Sequence, residues 1–430
     1  MDTLKKLFGF NPQTMTIKNE VIAGVTSFLA MAYILAVNPS MFSSIMPIES
    51  VFTATALAAI VGTLVMAFYA KMPFGLAPGM GLNAFFVFVV CLTMGHSWQF
   101  ALTAVFIEGL IFVLLTVTNL RSLIVDSIPS SLKKGLSVGF GLFIALIGFE
   151  NAHIVVSHPS TVVSLGSISD PNVIICLIGI VITGALVSLK IKGGMLLGII
   201  ATTIVAIPFG QVHYNGVVSM PGSLEPIFCK FEWGEIFSFD MLIVVFTFLF
   251  MDMFDTIGTV VGVITKSKQI DPNCPDYPIK KAFMADAVAT VAGAMFGTCT
   301  TTTYIESAAG IAEGGRSGLT AFIIAVCFGL AMLFSPLFLA IPSAAVAPVL
   351  IIVGAFMITP IKDVDLNDMS EALPFFLCSI SIPFTYSVST GLAIGMLSYL
   401  FINLCIGGYK KLTIPMYVLS AILLAGLIFA

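Results

Sequence analysis

Five carboxylates lie inside apolar runs of this 430-residue chain: Glu108, Asp252, Asp255, Asp286 and Glu306. A charged group at mid-membrane costs roughly 2.5–3.5 kcal/mol, so five unpaired ones would cost on the order of 10 kcal/mol or more. Lys and Arg enter the apolar runs only near their inner ends, so ion pairing does not offset that cost. Two arrangements remain: a hydrated cavity rich in hydroxyl and amide donors, or carboxyls that carry their proton. Both describe a polar path through a membrane, and the second suits a proton-coupled cycle.

In "MDMFDTIGTVVGV" (251–263), Asp252 and Asp255 are three apart on one helix face. Thr259 lies four beyond Asp255 on that face, and Thr256 and Thr259 offer hydroxyl donors. Asp255 is favoured as the ligand contact, whereas Asp252, one turn nearer the outer surface, reads as a polar boundary residue. Asp286, in "KKAFMADAVATVAG", reads equally as a ligand contact or as a hydrogen-bond partner of a neighbouring broken segment. Glu108 reads as a structural hydrogen bonder.

Two segments are too broken for ordinary spans. "TTTYIESAAGIAEGGRSG" (301–318) follows a β-favouring threonine run with small residues suited to a short helix. Glu306 at the junction is expected to be held by free N–H groups of that half-helix, with acceptor capacity left for a ligand. Glu313 and Arg316 then serve helix termination or an inner gate. "MPFGLAPGMGLNAFF" (72–86) is the other broken segment, and Asn83 in it supplies a donor and an acceptor or, alternatively, caps the short helix.

The elements that position these residues follow from composition. At 58% hydrophobic and 9% charged, the chain reads as an all-α polytopic membrane protein. Apolar runs and their breakers give fourteen spans, near 20–41, 51–70, 81–94, 98–118, 131–151, 172–189, 193–209, 238–262, 282–299, 305–315, 317–340, 343–361, 371–386 and 388–407. With the N-terminus inside, seventeen of the 18 basic residues fall on the inner side and only Lys230 outside, which supports the count and places both termini in the cytoplasm. The first 18 residues hold no continuous apolar run, so no cleaved signal peptide is expected. Residues 413–430 are expected to form an interfacial helix.

Fourteen spans divide into seven and seven. Ile-Pro-Ser recurs at 128–130 and 341–343, opening spans 5 and 12, and the broken segments at spans 3 and 10 are also seven apart. An odd number of spans per repeat inverts the second copy, and interrupted segments at matching positions point to a transporter's binding site. Enzyme chemistry finds no anchor: nucleophile elbow, Walker motif and dinucleotide fingerprint are all missing from the sequence. The four histidines (96, 153, 158, 213) lack metal spacing, and the eight cysteines are scattered without a CxxC. No basic patch suggests nucleic acid, and the net charge of −4 selects no partner.

"FDTIGT" in span 8, "TTYIESAAGIAEGGRSGLTA" at span 10, "APGMGLNAFF" at span 3 and "AGVTSFLAMAYILAVNP" in span 1 resemble the nucleobase–cation symporter family, in its AzgA-like purine permease branch. The resemblance implies two inverted seven-helix repeats of the uracil-permease kind, with short strands and half-helices in segments 3 and 10. It implies a core domain from residues 16–120 (spans 1–4) and 236–341 (spans 8–11), and a gate domain from 121–210 (spans 5–7) and 342–412 (spans 12–14). The family's acids and asparagine would fall on Asp255, Glu306, Asp286 and Asn83. The uracil branch has a histidine one turn after its span 8 acid, where this chain has Thr259.

A neutral purine presents N–H donors, which two carboxylates accept, while Asn83 meets a carbonyl or ring nitrogen and Phe85, Phe28 or Phe254 stacks on the ring. The expectation is a proton-coupled importer of hypoxanthine, guanine or adenine in the cytoplasmic (inner) membrane, not an enzyme. Asp255, Glu306, Asn83, Thr259 and Phe85 are its expected substrate contacts, and Asp255, Asp286 and Glu306 its coupling groups. An uncoupled facilitator of the same fold and a sulfate-permease-type anion exchanger are the alternatives; the acidic site argues against the second. Beyond membrane lipid and the co-transported proton no cofactor or metal is expected, with sodium and a homodimer left open.

Overall fold

The protein is described by a computed structural model covering residues 2–118, 129–214, 216–270, 275, 277–409, 412, 413, 415–417, 420, 421, 423 and 424. In order come α1 (Asp2–Phe8), α2 (Ile17–Met31), α3 (Ile34–Phe42), α4 (Ile48–Val65), β1 (Leu76–Pro78), α5 (Met80–Ala84) and α6 (Trp98–Thr118). There follow α7 (Ser130–Asn151), a hairpin of β2 (Val155–His158) and β3 (Val162–Leu165), α8 (Pro171–Ser188) and α9 (Gly194–Ala206). The second half holds α10 (Phe239–Ile270), α11 (Ile279–Phe296), β4 (Thr301–Thr303), α12 (Ser307–Ala312), α13 (Gly318–Ala331), α14 (Ser335–Leu339), α15 (Ser343–Met357), α16 (Met369–Thr385) and α17 (Val388–Cys405).

Helical segments cover all fourteen apolar runs, and among the described residues seven helices are long and apolar enough to cross a membrane. Their starts carry the expected oxygen caps: Thr16, Asp170, Ser317, Asp368 and Ser387 each accept from a first-turn N–H. Ser130–Asn151 and Ser343–Met357 cross so closely that a Cβ on Gly141 would stand 2.5 Å from the Gly354 carbonyl oxygen, the kind of small-residue contact that membrane helices favour.

Packing divides the helices into two groups. α2–α6 pack with α10–α13, and α7–α9 pack with α15–α17; the groups meet through pairs such as α5 with α7 and α9 with α2. The first group contains a two-stranded antiparallel sheet, Leu76 opposite Thr303, Ala77 opposite Thr302 and Pro78 opposite Thr301. Both strands are edges, so their outer backbone groups need other partners where water is scarce. One threonine supplies them on each side. Thr63 of α4 bonds both N–H and C=O of Leu76 (2.9 and 3.2 Å), and Thr290 of α11 does the same for Thr301 (3.3 and 3.3 Å).

Two sequence expectations change. The chain is not all-helical outside segments 3 and 10, because Val155–Val156 and Val162–Val163 form the β2–β3 hairpin. The first run is two helices, broken at Ala32–Tyr33. Residues 413–430 lie largely outside the described residues, but Met416 and Leu423 are buried, and Leu423 shares an apolar pocket with Leu136, Phe140, Phe250 and Leu392.

Candidate functional site

The threonine run distributes the acids. Alternate residues of an extended strand point to opposite faces. On one face Thr300 donates to Glu108 Oε2 (3.4 Å) and Thr302 to Asp255 Oδ2 (3.3 Å). On the other, Thr303 donates its hydroxyl to Asp286 Oδ1 (2.8 Å) and its N–H to Oδ2 (3.4 Å). Three threonines therefore hold carboxylates from α6, α10 and α11. Glu108 and Asp286 are fully buried, and Asp286 has the broken-segment partner that was one of its two sequence readings.

Along α10, Thr256 donates to Asp252 Oδ1 (2.9 Å), and Asp252 is fully buried, so it is not a boundary residue. Thr259 donates to the main-chain carbonyls of Asp255 (2.9 Å) and Thr256 (3.2 Å), not to a carboxylate. The hydroxyl at Asp255 comes from Thr302 on the strand. Asp255 itself stays partly accessible.

Glu306 precedes α12, but its side chain makes no capping bond there. The N–H groups of Ser307, Ala308 and Ala309 turn back to the carbonyls of Tyr304, Ile305 and Glu306. The expected hold by half-helix donors is thus replaced by one side chain: Tyr33 Oη donates to Glu306 Oε1 at 2.6 Å. Glu306 is partly accessible and its neighbour Ile305 is 53% exposed, so this junction opens onto accessible space. Beyond it, Arg316 ends the half-helix by donating to the Ile311 and Gly315 carbonyls (2.6 and 2.8 Å), and Glu313 pairs with Lys192 at 2.7 Å.

In the opposite segment Gly79 occupies the cap position of α5, and Asn83 is the fourth helical residue, so capping is not its role. Asn83 is fully buried, and neither its amide nitrogen nor its amide oxygen has a hydrogen-bond partner. A buried, unsatisfied amide costs about 1–3 kcal/mol, which a ligand would relieve. Phe85 is buried in a T-shaped contact with Phe248 (4.9 Å between ring centroids). Phe28 packs on Phe328 at 5.1 Å, and the Phe254 side chain lies outside the described residues.

Two features went unread in the sequence. Tyr304 Oη donates to the Pro78 carbonyl (2.6 Å), tying the two broken segments together. Glu20, fully buried, accepts from the N–H groups of Arg316, Ser317 and Thr320 (3.0, 3.3 and 3.1 Å) and from the Thr320 hydroxyl (2.6 Å), anchoring α13 to α2. A carboxylate at the very start of an apolar run was its only signal. Among the described residues no group of three or more His, Cys, Asp or Glu is arranged to hold a metal ion.

The sequence matches the model of the Permease family over residues 18–394. It is 40% identical to a guanine/hypoxanthine permease of Bacillus subtilis, covering 97% of this chain and 98% of that protein. It is 38% identical to an adenine permease of Escherichia coli, covering 98% and 95%. In fold it is similar to the transmembrane domain of a cyanobacterial bicarbonate transporter, with a TM-score of 0.67 at 16% identity, over 88% of this chain and 97% of that one.

Proposed function

The chain belongs to the Permease family, and from that premise we propose that it imports purine nucleobases by proton symport, with Asp255, Glu306 and Asn83 as substrate contacts. One observation carries the reading. Of the five acids in apolar runs, Asp255 and Glu306 stay partly accessible, and the facing broken segment holds a buried amide with no internal partner. A neutral purine satisfies both, its N–H groups donating to the carboxylates and a carbonyl or ring nitrogen accepting from Asn83. The guanine/hypoxanthine and adenine permeases among the relatives support that substrate class.

The membrane arrangement belongs to the same proposal. Fourteen spans form two inverted repeats with both termini in the cytoplasm, supported by the basic residues and by the matched clasps of Thr63 and Thr290. The core domain (16–120 and 236–341) carries the site past the gate domain (121–210 and 342–412), exposing it to each side in turn. Asp255 is the proton-coupling group, with Asp286 and Glu306 beside it. Thr259 acts by bending or bracing α10, since its hydroxyl is occupied by main chain. A membrane anion exchanger would need a positive site, which these acids do not provide.

The test is uptake of labelled hypoxanthine into proteoliposomes. Guanine and adenine should compete and uracil should not. Accumulation should fall when the proton gradient is collapsed, and Asp255→Asn should bind purine yet lose uphill accumulation. Uptake indifferent to the gradient would make the protein a facilitator.

A further inference from the structure

We infer that Tyr33 is a positioning residue that sets the orientation of the Glu306 carboxylate for substrate. This rests on the proposed purine site. Tyr33 lies at the break between α2 and α3 and is fully buried. Its ring packs against Tyr304 (6.4 Å between centroids), so the hydroxyl has little freedom of direction. That hydroxyl donates to Glu306 Oε1 at 2.6 Å, within the short range of charge-assisted bonds.

The local geometry leaves Tyr33 in charge. Glu306 gets no capping bond from α12, whose first N–H groups are occupied by main-chain carbonyls. A carboxylate on a short half-helix, held locally by its own main-chain N–H, can still rotate about its side-chain torsions. Fixing one oxygen from a different span removes that freedom before the ligand arrives, and so lowers the ordering cost of binding. The hydroxyl's backing is rigid too: Tyr304, against which the Tyr33 ring rests, is pinned by its own bond to the Pro78 carbonyl. The first span is thus connected to the acid on which the purine site depends.

Tyr33→Phe keeps the ring and its packing and deletes only the donor. It should raise the Kd for hypoxanthine about tenfold, with a corresponding rise in KM and little change in maximal uptake rate. In a Glu306→Gln background the same substitution should add little, because the charge-assisted bond is already gone. A purely structural tyrosine would weaken both backgrounds alike. Infrared difference spectra supply a readout independent of any ligand: the carboxyl band absent from Glu306→Gln should shift in Tyr33→Phe. Unchanged affinity together with an unshifted band in a folded Tyr33→Phe protein overturns the positioning role. If wild type binds no purine while the band still shifts, the purine reading fails and the Tyr33–Glu306 link stands.

Discussion

The two broken segments share a backbone plan and differ in chemistry. Each has a three-residue strand, a threonine clasp from the preceding span and a half-helix. In segment 3 the polar side chain is Asn83, neutral, buried and without a partner. In segment 10 it is Glu306, ionisable, partly accessible and held by Tyr33. The threonine run of segment 10 also carries the hydroxyls that reach Glu108, Asp255 and Asp286, whereas Leu76, Ala77 and Pro78 have none to offer. Backbone symmetry makes the cradle. Asymmetry of side chains puts ionisable groups on one side of it and a neutral amide on the other.

Substitutions at matched positions can break this contrast. Glu306→Gln preserves size but loses the charge-assisted bond, and should weaken purine binding by about 1.5–3 kcal/mol, measured by calorimetry on purified protein. Unchanged affinity would remove the acid from the site. Thr63→Val and Thr290→Val test the shared part. Each strips a strand end of its hydroxyl partner and should destabilise by about 1–2 kcal/mol, to similar extents, in denaturation assays. A loss confined to one half would show that the clasps are not equivalent.

Asn83→Ala should cost about 1 kcal/mol of purine affinity, and its effect should not vary with pH, because the amide does not titrate. A pH-dependent loss would place proton chemistry on both segments. The smallest effect is expected at the Lys192–Glu313 pair, which joins the α8–α9 connection to the end of α12 and is partly exposed. Reversing either charge should change stability by less than about 1 kcal/mol, and exchanging both should restore it.

Apolar runs, Gly/Pro breakers and the basic residues made the helical plan readable, since each records how a segment meets lipid or water. The strand in segment 10 was readable from its threonines. The β2–β3 hairpin was missed, although paired valines flanking "HPST" carry a strand–turn–strand signal. At the site, spacing misled in an instructive way. The four-residue rule assigned Thr259 to Asp255, but a helical threonine readily bonds the carbonyl four residues back, and Thr259 does so. At Asp252 and Thr256 the same spacing does join side chains. Tyr33 could not be paired from sequence, because its partner lies 273 positions away.

That separation has a consequence for biogenesis. β1 can pair only with β4, more than two hundred residues later in the chain. While the ribosome is still making the second half, segment 3 waits with its strand unpaired, and only Thr63 is at hand to satisfy Leu76. Unsatisfied backbone is poorly tolerated in lipid, so the nascent first half must stay in a protected or partly hydrated setting until its counterpart emerges. A chain stopped after α9 would therefore be a substrate for quality control, and the two halves expressed as separate polypeptides would have to rebuild that six-residue pairing along with the packing of α2–α6 on α10–α13 and of α7–α9 on α15–α17.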